Sequence, residues 1–328
     1  MRAAEMIELW RGDRRESLHL GHAVICDSAG VVEAWGSPGE VIFPRSSCKM
    51  IQALPLVESG AADAAGLSDR QLALACASHN GAHIHVEAVD RWLTALDLQE
   101  TDLRCGCHMP KDTEENRRLT CSDQKPDQRH NNCSGKHAGF LTLNRHLGGG
   151  PEYVEPDHPV QKAAKAAFEE VTGEDSPGYG IDGCSAPNHA CSLTGLASAM
   201  AAFASSGGDR RGQAMRRLTD AMRAHPEMVA GEGRACTSLM RAMRGKVAVK
   251  TGAEGVFVAI LPEQGLGIAL KAQDGASRAS EAAIVALLLH LQVLDRDDPV
   301  VSTYLTGPIR NWRGIVTGEM RTAPGFPG

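Results

Sequence analysis

Three short motifs place reactive side chains in order along the chain. Ser46-Ser47-Cys48-Lys49 fits S-x-x-K, Ser78-His79-Asn80 fits S-x-N, and Lys250-Thr251-Gly252 is K-T-G. A serine hydroxyl is a poor nucleophile until a base takes its proton. Lys49 can be that base when its amine is uncharged, a state that burial and a nearby cation favour, and Lys250 is the natural cation. Positions i and i+3 share a helix face, so Ser46 and Lys49 meet if a helix starts here. Ser46 then also receives the positive end of the helix dipole. Ser47 is two residues from Lys49, on the wrong face, so Ser46 is the expected nucleophile. Ser78 would relay a proton between the lysines and the leaving group. The backbone N–H groups of Ser46 and of Ala253, just past Gly252, would form an oxyanion hole.

Singly, each motif has a bland reading. Ser46 could be a helix N-cap, Asn80 a turn residue before Gly81, and Lys250 a solvated strand residue. Together, in this order, the three make up the set used by penicillin-recognising serine hydrolases.

Cysteines supply a second constellation. Cys133, Lys136 and His137 lie in one short block, and Asp182 and Cys184 in another. Two thiolates on separate loops can hold zinc if further ligands join them, and buried inert thiols are the competing reading. Cys105, Cys107, His108 and Cys121 form a rival group, but C-x-C-H lacks the usual C-x-x-C spacing. Cys26, Cys76, Cys191 and Cys236 sit among apolar or small residues and read as core. Cys48 puts a thiol beside the nucleophile, which would make the site sensitive to oxidation.

The elements that must position these groups follow from periodicity. Leu18 to Cys26 and Val31 to Trp35 read as two strands joined at Asp27-Ser28-Ala29-Gly30. A helix is expected from Ser46, through Met50, Ile51, Leu54, Leu56 and Val57, to a stop near Gly60. The middle of the chain is alanine-rich and helical, as in Val160 to Val171, Leu193 to Phe203 and Met215 to Ala224. Lys246 to Lys250, Val256 to Leu261 and Gly267 to Ala272 read as strands, short-turned and therefore antiparallel. An apolar helix, Ser280 to Leu294, follows. The expected fold is thus α/β of the α+β kind: an antiparallel sheet from residues 1–45 and 246–328, with a largely helical subdomain, 46–245, inserted into a single catalytic domain.

The 328 residues suffice for a large core, and 42% hydrophobic against 23% charged residues is an ordinary globular balance. A net charge of −6 argues against a nucleic-acid or anionic-membrane partner and for a small substrate. The N-terminal residues lack an apolar signal region, and the longest apolar run, Ala282 to Leu289, is too short to span a bilayer. A cytoplasmic protein with free thiols is expected.

Taken together, the stretches 44–49, 77–81, 131–137, 182–187, 225–231 and 250–256 resemble the Rhizobium etli type, or thermolabile, L-asparaginases over nearly the whole chain. The resemblance implies a fold like serine β-lactamases and penicillin-binding proteins, a homodimer, and hydrolysis of L-asparagine to L-aspartate and ammonia. It implies Ser46 as nucleophile with Lys49 beside it, and Ser78 with Lys250 as a second Ser–Lys pair. It further implies zinc on Cys133, Lys136 and Cys184, with Asp182 holding a zinc-bound water. The zinc would aid substrate binding while the serine does the chemistry. Arg45, Asn80, His137, Asp182, Gly252 and Ala253 are the expected substrate contacts. A β-lactam or peptidoglycan hydrolase on the same fold, and a non-catalytic zinc-binding protein, are the alternatives.

Overall fold

A computed structural model describes residues 2–327, and the chain divides into two compact units. The first runs to Ser47 and adds Ser192–Ser205 and the chain from Ser238 on. The second is Cys48–Cys191 with Ser206–Thr237.

The first unit is built on one antiparallel sheet. Its strands are β1 (Ala4–Arg11), β2 (Arg14–Asp27), β3 (Gly30–Trp35), β4 (Ala248–Thr251), β5 (Val256–Leu261), β6 (Leu266–Ala272), β7 (Pro308–Arg310) and β8 (Val316–Thr322). Their order is β7-β8-β1-β2-β6-β5-β4, and β3 pairs with β2 beside this path. The sequence VFVAIL of β5 is buried at every position, which explains its unbroken apolar run. Two helices cover the sheet. Leu193–Ala204 packs on β2, β5 and β6, and Gly267 lets it approach: a Cβ there would lie 2.1 Å from the Ala201 nitrogen. Ser277–His290 packs on β1, β5 and β6.

Val256–Leu261 forms with the bounds its sequence suggests, and the neighbouring strands shift by only a residue or two. β1 and the β7–β8 hairpin had no clear sequence signal. Their residues are largely charged or half-buried, so they lack the apolar alternation that marks a strand.

The second unit is helical. Its centre is the helix Ser134–Leu147, buried at every position from Ser134 to Asn144. Small residues admit its neighbours: Gly139 lies against Leu56 and Ala75, and a Cβ at Gly135 would meet the Leu74 carbonyl at 2.4 Å. The helices Asp69–Ala75, Pro159–Thr172 and His83–Ala95 pack around it. Among the described residues no helix is long and apolar enough to cross a membrane.

One expected element is broken. The helix from Ser46 to Gly60 is instead a 3₁₀ turn, Arg45–Cys48, then two short helices, Lys49–Gln52 and Leu54–Glu58. Pro55 has no N–H to donate to the turn before it, so a continuous helix cannot form. The dipole expected at Ser46 therefore comes from barely two turns.

Candidate functional site

In the second unit, Lys49 is the hub. It is 1% exposed. Its Nζ donates to Ala77 O at 2.5 Å, Ser78 Oγ at 3.0 Å and Cys133 Sγ at 3.0 Å. Lys49 and its acceptors come from three separate stretches, which is why S-x-x-K, S-x-N and the Cys133 block had to be read together.

The S-x-N stretch is held extended by backbone bonds: Ser78 N–H to Val229 O, His79 N–H to Asn132 O, and Asn80 N–H to Ala230 O. His79, only a spacer in the motif, is fully buried and stacks on His85 with centroids 4.6 Å apart. Its Nδ1 accepts the Gly81 N–H at 3.1 Å, so its proton sits on Nε2, which donates to Ser134 Oγ at 2.9 Å. Burial, reinforced by the nearby His85 and Lys49, holds this imidazole well below its ordinary value, and it stays neutral. His79 thus ties the Ser78 stretch to the start of the central helix. Asn80 is turned toward Asp112 Oδ2 at 3.2 Å, and Gly231, at φ 101°, leaves room for it.

That central helix carries the sulfur–nitrogen cluster. Lys136 Nζ lies 3.0 Å from Cys184 Sγ. Cys133 hydrogen-bonds Cys184, which lowers the Cys184 thiol well below its ordinary value, with Lys136 and His137 adding to the effect against the cost of burial. Burial alone would lower Lys136, but the Cys184 and Cys133 sulfurs outweigh it and raise the amine. His137 Nδ1 is 2.8 Å from Tyr153 Oη, which itself accepts the Arg104 N–H. The tyrosine O–H is left to donate to Nδ1, so the imidazole proton is on Nε2. That Nε2 is buried, with the Cys184 sulfur as its hydrogen-bonding neighbour. Asp182 sits in a tight turn beside this cluster, its Oδ1 accepting the Gly183 N–H and its N–H donating to Ala186 O.

Zinc takes nitrogen and sulfur donors, and Cys133, Cys184 and Lys136 supply them once the ion displaces the proton that the two sulfurs hold on Lys136. They do so only with the lysine included: among the described residues, no three His, Cys, Asp or Glu side chains are gathered as a metal site. The rival group does not assemble one either. Cys107 and Cys121 are exposed, and burial pushes the Cys105 thiol up to about 12. None of the ten cysteines is in a disulfide, and Cys26, Cys76, Cys191 and Cys236 are buried.

In the first unit, the K-T-G strand meets the turn that bears Ser46. A Cβ on Gly252 would come within 2.6 Å of Pro44 O and 3.3 Å of Ser47 Cβ. Lys250 is fully buried, and its Nζ donates to Thr251 O at 2.7 Å. Gly252 N–H is used by Val256 O at 2.7 Å, leaving the exposed Ala253 as the candidate oxyanion donor. Ser47 Oγ donates to Pro44 O at 2.7 Å, so its hydroxyl is spent on the backbone, whereas Ser46 is half-buried. Arg45, beside it, is held at φ 55°. Oxidation at Cys48 does not follow from its position. The thiol is 1% exposed and burial pushes it up to about 12, so it is an inert core group.

Sequence reasoning passed over His79 and Tyr153. His79 could have been suspected as the bulky member of S-x-N, but Tyr153 reaches His137 only through the fold.

A model of the family described as L-asparaginase II matches residues 7–322. No curated protein matches the chain. Among solved structures, the chain is similar to Mglu in its native form, with 16% identity and TM-score 0.50, covering 85% of this chain and 66% of that one. It is similar to Mglu in its tris and glutamate form, with 16% identity and TM-score 0.50, covering 85% and 60%. A β-lactamase from Mycobacterium bovis is similar at 12% identity and TM-score 0.47, covering 84% and 95%. The chain spans about two thirds or less of the Mglu chains in these two structures. At such identities the likeness concerns the fold, the mixed sheet-and-helix architecture described above.

Proposed function

The chain belongs to the L-asparaginase II family, and from that premise we propose that it hydrolyses the side-chain amide of L-asparagine through an ester on Ser46. The observation that carries this reading is the bond from Lys49 Nζ to Ser78 Oγ at 3.0 Å, one turn past Ser46. It joins the lysine of S-x-x-K to the serine of S-x-N.

In this reading Lys49 first releases to solvent one of the three protons it donates at rest, and the free amine takes the Ser46 proton while Ser46 Oγ attacks the amide carbon. The N–H groups of Ser46 and Ala253 receive the developing oxyanion. Ser78 passes a proton from Lys49 to the leaving nitrogen, ammonia departs, and an aspartyl ester remains on Ser46. Water then attacks the ester by the reverse proton route and releases aspartate. Lys250 supplies fixed positive charge on the K-T-G strand, which Gly252 lets lie against the nucleophile's turn. Arg45 is suited to the substrate α-carboxylate, Asp182 to its ammonium, and the His137 Nε2–H to a carboxylate or carbonyl oxygen. Asn80 holds the Ser78 stretch rather than the substrate.

Cys133, Lys136 and Cys184 would hold zinc, with Asp182 beside it. When bound, the ion supplies a fixed positive charge that orients the substrate. The same reading takes the protein as a homodimeric, cytoplasmic enzyme of the Rhizobium etli type.

Ammonia release from asparagine and from glutamine, measured for wild type and Ser46→Ala, tests it. Release from asparagine that vanishes in Ser46→Ala supports the proposal. Turnover of a chromogenic cephalosporin with no ammonia from asparagine sinks it.

A further inference from the structure

The first unit holds a second cleft, of about 320 Å³, of whose lining the reaction above uses only Arg45. His22, Glu40, Arg45, Glu254, Lys271 and Gln273 supply its polar lining, and Val41, Ile42 and Phe43 its apolar wall. Two carboxylates and two cations face one small volume. That balance suits neither a simple anion nor a simple cation.

His22 and Lys271 are directly paired across β2 and β6. His22 is 6% exposed, and its Nδ1 accepts the Ser37 N–H at 2.9 Å. The backbone of Gly36 closes on that edge of the ring, since a Cβ at Gly36 would come within 2.5 Å of Nδ1. The ring proton is therefore on Nε2, at the opposite edge. Lys271 Nζ spends two of its three N–H groups on Glu254 O and Ala272 O, at 2.6 and 2.7 Å. Its third remains for a ligand. Two donors, His22 Nε2–H and Lys271 Nζ, thus line one cleft with two exposed acidic residues, Glu40 near His22 and Glu254 beside Lys271. Arg45 and Glu254 both carry positive φ, 55° and 58°, a conformation that non-glycine residues rarely adopt and that tends to gather at ligand sites.

We propose that this cleft binds a free α-amino acid as a zwitterion, its carboxylate on His22 and Lys271 and its ammonium on Glu40 and Glu254. An amino acid of glycine to asparagine size fits the volume. Val41 and Phe43, both large and exposed, would cover its side chain. Because Arg45 directly precedes Ser46, occupancy would reach the turn bearing the nucleophile. The site itself does not depend on the hydrolytic reading.

Calorimetric titration of the intact protein with glycine, acetate and methylammonium tests this, repeated on Glu40→Lys and Lys271→Gln. Glycine is expected to bind, and acetate and methylammonium, each with half the contacts, to bind at least about tenfold more weakly. Each substitution should weaken glycine at least about tenfold. Glu40→Lys, at an exposed position, should retain the melting temperature and the wild-type kcat for asparagine. Ser46→Ala should still bind glycine, which separates this site from the catalytic reading. No glycine binding by wild type, equal binding of all three probes, or wild-type glycine affinity in Glu40→Lys would overturn the proposal.

Discussion

Lys49 and Ser78 are joined by a 3.0 Å hydrogen bond although 29 positions separate them in the chain. The same Nζ reaches Cys133 Sγ at 3.0 Å, so one amine links the serine motifs to the sulfur cluster. If Lys49 is the base, its charge alone cannot replace it. Arginine keeps the charge and cannot give up its proton. Lys49→Arg and Lys49→Met should therefore both lose at least about 10³-fold in kcat for asparagine. Arginine at wild-type rate would remove Lys49 from proton transfer.

Ser47 provides the control for Ser46. Its hydroxyl is committed to Pro44 O. Ser47→Ala should lower stability by about 1 kcal/mol in chemical denaturation and leave kcat within about twofold. Loss of activity comparable to Ser46→Ala would reassign the nucleophile.

Gly252 tests how closely the K-T-G strand must approach the nucleophile's turn. Alanine there would put a Cβ 2.6 Å from Pro44 O, so that turn must shift. A displacement of this kind should cost about tenfold or more in kcat while the protein still unfolds cooperatively. Unchanged kinetics would show that the contact does not position Ser46.

The sulfur cluster makes a metal prediction. Elemental analysis of protein purified with zinc should find about one ion per chain. Cys184→Ser and Cys133→Ser should each lose it, raising KM for asparagine more than they lower kcat. Stoichiometric zinc retained in both variants would place the ion elsewhere.

A pH prediction concerns the network that braces the stretch before Cys133. His130 hydrogen-bonds Asp127 and Glu115, Arg118 pairs with Glu115, and Arg129 with Asp127. Burial disfavours charged His130, but Asp127 and Glu115 outweigh it and raise the imidazole above 6.5. Arg118 chiefly, with His130, lowers Glu115 below 4.5 against the effect of burial. A raised histidine contributes stability that is full below pH 6.5 and is lost as pH rises through its folded value. A lowered glutamate contributes stability present above pH 4.5 and lost as pH falls through its folded value. The network should thus be strongest between about pH 4.5 and 6.5. The melting temperature of His130→Gln should fall furthest below wild type in that window and approach it at higher pH. A constant difference across pH would mean that His130 acts only by packing.

The sequence was legible where chemistry and periodicity are local. The hydrophobic run of Val256–Leu261 marks a buried strand. It was less legible where tertiary partners decide. A proline at 55 was enough to break the helix expected after Ser46. β1 and the β7–β8 hairpin are strands because they pair with one another, with Ile7 opposite Thr322, rather than because of their composition. The Tyr153–His137 bond, 16 positions apart and on different elements, left no pattern to read.

The most direct measurement is rapid-quench mass spectrometry of the wild-type protein mixed with asparagine, followed by peptide mapping. A Ser46 nucleophile predicts a transient mass increase of one aspartyl residue on the peptide containing Ser46, absent in Ser46→Ala. An aspartyl adduct on the Ser78 or Cys133 peptide, or full turnover by Ser46→Ala, would contradict it.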